Sequence, residues 1–271
     1  MKLCRFQPLE FQLDAVGAPA HPEPLLGRIE NGSVRELLGN PFSKIRDGER
    51  TWPLEHVRFV APVVPGKIVC VGKNYKDHIA EMASQTPSEP ALFLKPPSSV
   101  IGPEEPIVLT PLSQRVDYEG ELAVVIGRAC YQLPDGTDLK PYILGYTCLN
   151  DVTARDLQKT DVQWTRAKGF DTFCPIGPVI ETEFDESKTT IETFVNGQRR
   201  QSAPATDMIF SLRRIIPYIS QAMTLLPGDI VTTGTPAGVG PLHAGDVVEV
   251  VVKGVGTLRN PVIAPQAAAA D

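Results

Sequence analysis

The sequence predicts a mainly β fold with a few helices (α+β), and three observations predict it. There are 22 glycines and 26 prolines in 271 residues, well above the roughly 12% that the two share in an average chain. Such punctuation argues against a helical bundle or a coiled coil. Hydrophobic residues make 42% of the chain and charged residues 21%, enough apolar matter to close a core and too little charge for disorder. The apolar residues come mostly in short runs bounded by turn residues, which is the pattern of strands.

Taken in order, residues 11–13 and 25–29 are strand-like pieces, with Asn31-Gly32 as the best hairpin turn. Asn40-Pro41 and Trp52-Pro53 break the chain beyond that turn. These features predict a small β-rich N-terminal domain over residues 1–62, without a catalytic cluster, then a larger catalytic domain over 63–265 and a flexible tail at 266–271. Residues 67–72 read as a buried strand and 75–82 as a short polar helix. Pro87, Pro90, Pro96 and Pro97 hold the next stretch extended. Residues 118–126 and 143–149 read as strands, and 190–195 leads into the Asn196-Gly197 turn. One long helix is predicted over 207–223, because Met208, Ile209, Leu212, Ile215, Ile216, Ile219 and Met223 follow helical spacing. Thr206 or Asp207 would cap it and Pro217 would kink or split it. Residues 230–232 and 247–252 are the last strands.

Lysine and arginine total 26 against 32 acidic residues, a net charge of −6. An acidic chain without long basic runs matches neither nucleic acid nor a membrane surface, and no apolar run approaches the roughly 18 residues of a membrane span. Met1 to Phe6 lack the sustained apolar stretch of a signal peptide, and Glu10 and Asp14 follow soon after. The five cysteines are scattered, odd in number and form no CxxC, which reads as reduced, buried thiols. A cytoplasmic location is the expectation.

The richest segment for chemistry is DYEGELAVVI at 117–126. On one strand Glu119 and Glu121 share a face, about 7 Å apart along the chain, and the apolar run behind them takes them toward a core. Two half-buried carboxylates repel by up to about 4 kcal/mol, so either one is protonated or a cation sits between them; an exposed strand end with solvated glutamates is the plainer alternative. Asp151 closes another apolar strand. Three oxygen ligands without cysteine or histidine suit Mg²⁺, Mn²⁺ or Ca²⁺, unless Asp151 simply caps a turn. In KNYKDHIAEM, His78 and Glu81 are three residues apart and share a helical face. A carboxylate beside a histidine orients a general base, though such a pair also occurs as a surface contact. Lys168, in a polar and aromatic loop, either meets a substrate carboxylate or oxyanion or is solvated. The glycine-rich stretch 232–240 lacks the lysine and spacing of a P-loop; it is a turn cluster or a cradle for a small carboxylate.

Six segments in order, KNYKDHIAEM, FLKPPSSVIGP, VDYEGELAVVIG, GYTCLNDVTARDLQ, WTRAKGFDTFCPIGP and PGDIVTTGTPAGVGP, resemble the fumarylacetoacetate hydrolase family over about residues 63–261. The N-terminal part is similar to the short variable domain of bacterial members. The resemblance implies a mixed β-sandwich roll, a homodimer and one Mg²⁺ or Mn²⁺ per site. It implies that Glu119, Glu121 and Asp151 hold the metal, and that His78 and Glu81 form a water-activating dyad on a helix closing over the substrate. Lys168 would stand beside the metal, with Arg155, Gln158 and Thr235 near the bound acid. The activity it implies is divalent-metal-dependent hydrolysis of a C–C bond in acylpyruvate-type 2-oxo acids. The alternative is an isomerase, tautomerase or decarboxylase of 2-oxo or 2-hydroxydienoate dicarboxylates, of the oxaloacetate or hydroxyheptadienedioate type, in aromatic catabolism. From a different class stands a non-catalytic β-sandwich binding protein with a structural ion. The intact His78, Glu81 and Lys168 speak against that one, since a structural ion needs none of them.

Overall fold

The structure is a computed structural model that describes residues 1–9 and 23–265. The strand-like piece at 11–13 and the tail expected at 266–271 lie outside the described residues. The N-terminal strands are β1 (Lys2–Pro8), β2 (Leu25–Glu30), β3 (Ser33–Asn40), β4 (Lys44–Pro53) and β5 (Val57–Val60). Asn31 and Gly32 take φ of 48° and 76°, both positive, as the two-residue turn between β2 and β3 requires. Then come β6 (Ile68–Gly72), α1 (Lys76–Glu81), β7 (Ala91–Lys95), β8 (Val100–Ile101), β9 (Ile107–Val108), β10 (Val116–Tyr118), β11 (Gly120–Ile126), β12 (Ile143–Asn150) and β13 (Thr153–Ala154). Two short helices come next, α2 (Arg155–Thr160) and α3 (Thr165–Lys168), before β14 (Cys174–Glu181), β15 (Thr190–Val195) and β16 (Gln198–Pro204). The chain ends with α4 (Leu212–Ala222), β17 (Ile230–Thr232), β18 (Gly240–Pro241), β19 (Val247–Val252) and β20 (Gly256–Ile263). The mainly β, α+β expectation holds.

A 12-stranded sheet runs β4-β3-β2-β1-β14-β12-β11-β17-β6-β7, with β5 on β1 and β8 on β14. Its pairings are mixed, since β17 runs parallel to β6 and antiparallel to β11. A five-stranded sheet, β16-β15-β19-β20-β9, and a three-stranded one, β13-β10-β18, complete the fold. In β11 every residue is buried, as a continuous apolar run between two covered faces demands. Period two divides it. Leu122, Val124 and Ile126 join a core with Ile191, Val250 and Leu258 of the five-stranded sheet and with Ile215 and Ile219 of α4. Ala123 and Val125 face the opposite core with Leu3, Ile68 and Ile176. A Cβ on Gly120 would come within 2.0 Å of Thr193 Oγ1, so the sheets approach closely where β11 begins.

Two sequence expectations are corrected. The predicted strand over 118–126 is two strands, β10 and β11, parted at Glu119. The predicted helix over 207–223 starts at Leu212, and its N-cap is Ser211 rather than Thr206 or Asp207. The physical reason is Asn74. Its carbonyl accepts from the Ile209 N–H (2.8 Å), and its side-chain oxygen accepts from the Phe210 N–H (2.8 Å), so those amides serve a tertiary contact instead of a helical turn. Pro217 lies inside α4 without dividing it. Among the described residues no helix is long and apolar enough to cross a membrane.

Candidate functional site

Pairing of β11 with β12 sets Gly120 opposite Asn150, which brings the entry of one strand beside the exit of the other. Glu119, Glu121 and Asp151 are all buried there, with one carboxylate oxygen of each within 4.8 Å of the others. The break at Glu119 is held from both sides. Its N–H donates to Asn150 Oδ1 (2.9 Å), and its carbonyl accepts from the Asp151 N–H (2.8 Å). A straight strand had implied about 7 Å between the two glutamates; the parted strand is what the cluster uses.

Cations hold two of the three carboxylates. Lys168 Nζ donates to Glu119 Oε2 (2.8 Å) and to Asp151 Oδ2. Lys95 Nζ donates to Asp151 Oδ1 (2.6 Å) and to the Val152 carbonyl (3.2 Å). The Arg155 guanidinium spans Glu119 Oε1 (2.6 Å), Asp117 Oδ2 (2.9 Å) and Gln158 Oε1 (2.7 Å). Glu121 accepts the Gly234 N–H (2.8 Å). Burial by itself would raise Glu119, but Lys168 and Arg155 outweigh it and hold the carboxyl well below the usual range. Glu121 goes the other way, pushed up by burial and then by Asp151 and Glu119. Burial works to lower Lys168, yet Asp151 and Glu119 keep its ammonium more basic than usual. These shifts belong to the cluster as a unit.

The donor set fits a hard divalent cation. It consists of buried carboxylate oxygens alone, the ligand type that Mg²⁺, Mn²⁺ and Ca²⁺ prefer. A cation there would also offset the like-charge repulsion that raises Glu121.

His78 and Ile79 are the buried residues of α1. The His78 ring meets Glu81 Oε2 through Nδ1 (3.3 Å), and the Gly238 N–H donates to both Glu81 oxygens (3.1 and 3.2 Å). The turn cluster at 232–240 therefore does part of its work with backbone amides. Thr235 Oγ1 donates to the Gly120 carbonyl (2.9 Å) and accepts from Gln201 Nε2 (2.8 Å). Of the nine residues singled out from the sequence, His78, Glu119, Glu121, Asp151, Arg155, Gln158, Lys168 and Thr235 line one cavity of about 160 Å³. Glu81 stands behind His78. Phe93 and Trp164, edge to face at 5.4 Å, form part of the wall, and Lys168 Nζ lies 4.9 Å from the Phe93 ring centre.

Sequence reasoning passed over Lys95, Asp117 and Asn74. Lys95 had a signal, a lysine closing the apolar strand ALFLK just before two prolines. Asp117 shows none, because its role comes from Arg155, 38 residues away.

Residues 67–263 match the family model described as fumarylacetoacetate (FAA) hydrolase, C-terminal. Residues 20–62 match the model described as Rv2993c-like, N-terminal. The chain is 50% identical over 241 residues to protein Rv2993c of Mycobacterium tuberculosis, covering 88% of this chain and 91% of that one. It is 42% identical over 263 residues to the mitochondrial oxaloacetate tautomerase FAHD2B of Bos taurus, covering 90% and 81%. Among solved structures, 5-carboxymethyl-2-hydroxymuconate delta-isomerase from Mycobacterium smegmatis superposes with a TM-score of 0.87 at 42% identity, over 97% of this chain and 100% of that one.

Proposed function

The chain belongs to the fumarylacetoacetate hydrolase family, and on that premise we propose that it is a divalent-metal-dependent enzyme interconverting keto and enol forms of small 2-oxo acids, an isomerase or tautomerase. One observation carries this reading: a single histidine base, oriented by Glu81, shares a small cavity with a buried carboxylate cluster. At about 160 Å³ the cavity is well under the roughly 300–1,000 Å³ of sites for drug-sized ligands, so the substrate is small. The tautomerase and isomerase names of two relatives lend support.

Mg²⁺ or Mn²⁺ at Glu119, Glu121 and Asp151 would act as a Lewis acid toward the 2-oxo group. The chain's own residues supply the rest. With Nδ1 turned to Glu81, Nε2 is the ring nitrogen with a free lone pair. His78 would take a proton from the carbon next to the carbonyl and return it to the same or a conjugated carbon, and Glu81 would stabilise the imidazolium in between. Lys168, kept charged between Glu119 and Asp151, is a fixed positive group beside the developing enolate. Arg155 would orient Glu119 and, with Gln158 and Thr235, bound the acid end of the cavity.

The second reading, hydrolysis of acylpyruvates, is favoured by the same dyad, since an oriented histidine also activates water. The test is to follow the ultraviolet absorbance of the oxaloacetate enol with protein and Mg²⁺, alongside product analysis with an acylpyruvate. Faster enol decay, reduced at least about 100-fold by His78→Ala, is the expected result. Pyruvate and a free acid from the acylpyruvate, with no effect on the enol, would replace the proposal with the hydrolase. A homodimer is the assembly we expect, to be checked by analytical ultracentrifugation.

A further inference from the structure

We propose that Lys73 selects the substrate, binding a second carboxylate at the end remote from the 2-oxo group and so making the enzyme specific for dicarboxylates. The inference rests on the keto–enol reading above. Lys73 lines the same cavity as His78 and the three carboxylates. The other cations of that wall are committed: Arg155 to Asp117 and Glu119, Lys168 to Glu119 and Asp151. Lys95, behind them, is held by Asp151. Among the described residues, none holds the Lys73 ammonium by a hydrogen bond or an ion pair. A half-buried lysine that lines a cavity, without a carboxylate of its own, is an open position for an anion.

The backbone adds a second, independent observation. Lys73 has φ of +57°, a left-handed conformation that glycine or asparagine adopts more readily than lysine. The neighbouring residue enforces it. Asn74 is fully buried, its Nδ2 donating to the carbonyls of Phe210 (3.0 Å) and Thr233 (2.7 Å) while its Oδ1 accepts from the Phe210 N–H. Gly234, with φ of +89°, passes so close that a Cβ there would lie 2.8 Å from Asn74 Cβ. A long cationic side chain kept on a turn that suits glycine is understood when the side chain itself has work in the cavity.

The experiment uses the full chain with Mg²⁺ and three unreactive probes: oxalate, which has only the chelating end, and the four-carbon pair malate and 2-hydroxybutyrate, which differ only in the remote carboxylate. Binding is read by calorimetry and by the fluorescence of Trp164 in the cavity wall. Wild type should bind malate about ten- to a hundredfold more tightly than 2-hydroxybutyrate, the usual worth of a charge-assisted hydrogen bond. In Lys73→Met that ratio should fall to about one with oxalate binding unchanged, and Lys73→Arg should keep most of it. Lys73→Asn, which suits the left-handed turn, should melt no lower than wild type and also lose the preference, separating side-chain function from misfolding. A preference for malate that survives in K73M and K73N, a wild type with no preference, or an equal loss of oxalate binding would overturn the role of Lys73. Failure of oxalate to bind wild type at all would instead overturn the underlying 2-oxo acid reading, and the inference with it.

Discussion

Lys168 shows how one side chain holds the site together. Its ammonium is buried between Glu119 and Asp151, and replacing it by methionine would leave two buried carboxylates short of a cation. Loss of one partner of a buried ion pair costs about 3–5 kcal/mol. Lys168→Met should therefore lose stability on that scale in urea denaturation without metal, and Mg²⁺ should restore part of it. Undiminished metal-free stability would mean that Lys95 and Arg155 carry the charge balance alone. Ligand linkage supplies a companion expectation. Mg²⁺ at about 100 times its dissociation constant should stabilise the native chain by about 2.7 kcal/mol, and Glu121→Gln should remove most of that gain in a thermal melt. At this scale the sequence was legible where chemistry resides in residue type. It offered the three acids, because carboxylates at the ends of apolar strands are conspicuous, and the family resemblance singled out Lys168 and assigned all four their roles. It gave no sign of Asp117, whose meaning depends on a guanidinium brought in from α2.

Elements were legible where their cause was local. Both Asn-Gly turns formed, Asn196 and Gly197 taking φ of 52° and 74°, since a two-residue hairpin depends on those two residues. The start of α4 was misplaced because residues 209 and 210 give their amides to Asn74, a partner that no periodicity reports. Asn74→Ala is the informative change. It leaves buried groups of Phe210 and Thr233 unpaired, at about 1–3 kcal/mol for each group so stranded, and frees the entry to α1. Limited proteolysis should then cut between 73 and 87 faster than in the native chain, with a matching fall in turnover. The native segment, which carries the helix that the family resemblance places over the substrate, should in turn be protected by oxalate with Mg²⁺. Equal cleavage in all samples would refute both expectations.

Across the whole molecule, strand β1 couples the N-terminal part to the site-bearing sheet. It pairs with β14, and it places Leu3 in one core with Ile68 and Val125 and Phe6 in the other with Val69 and Val124. Removing residues 1–62 should thus abolish a cooperative melt; a truncated chain that melts at the native temperature would show an independent unit. All five cysteines are free and buried. Burial pushes Cys4 and Cys148 up to about 12 and Cys130 up to about 11, from an ordinary 9.0. Between pH 9 and 11 the unfolded chain releases thiol protons that the folded chain keeps, so this contribution is full below pH 9 and stability falls as pH rises. A thiol reagent near neutral pH should label none of the five until denaturant is added, when all five react. Rapid native labelling of any one would contradict the burial.

By itself the sequence determined the mainly β class, the Asn-Gly turns and the carboxylates, histidine and lysine offered for the site. Strand runs, turn preferences and side-chain chemistry are properties of neighbours in the chain. Only the tertiary structure decided that the strand parts at Glu119, that Lys95 and Asp117 complete the charge network, and that Lys73, unlike Arg155 and Lys168 in the same cavity wall, is held by no hydrogen bond or ion pair among the described residues. Each of those outcomes depends on groups tens of residues apart, brought together when β11 pairs with β12 and when Asn74 ties residues 209–210 and 233 to the turn before α1. Long-range pairing assigns buried charges their partners, and what remains without one is visible only after the chain has closed.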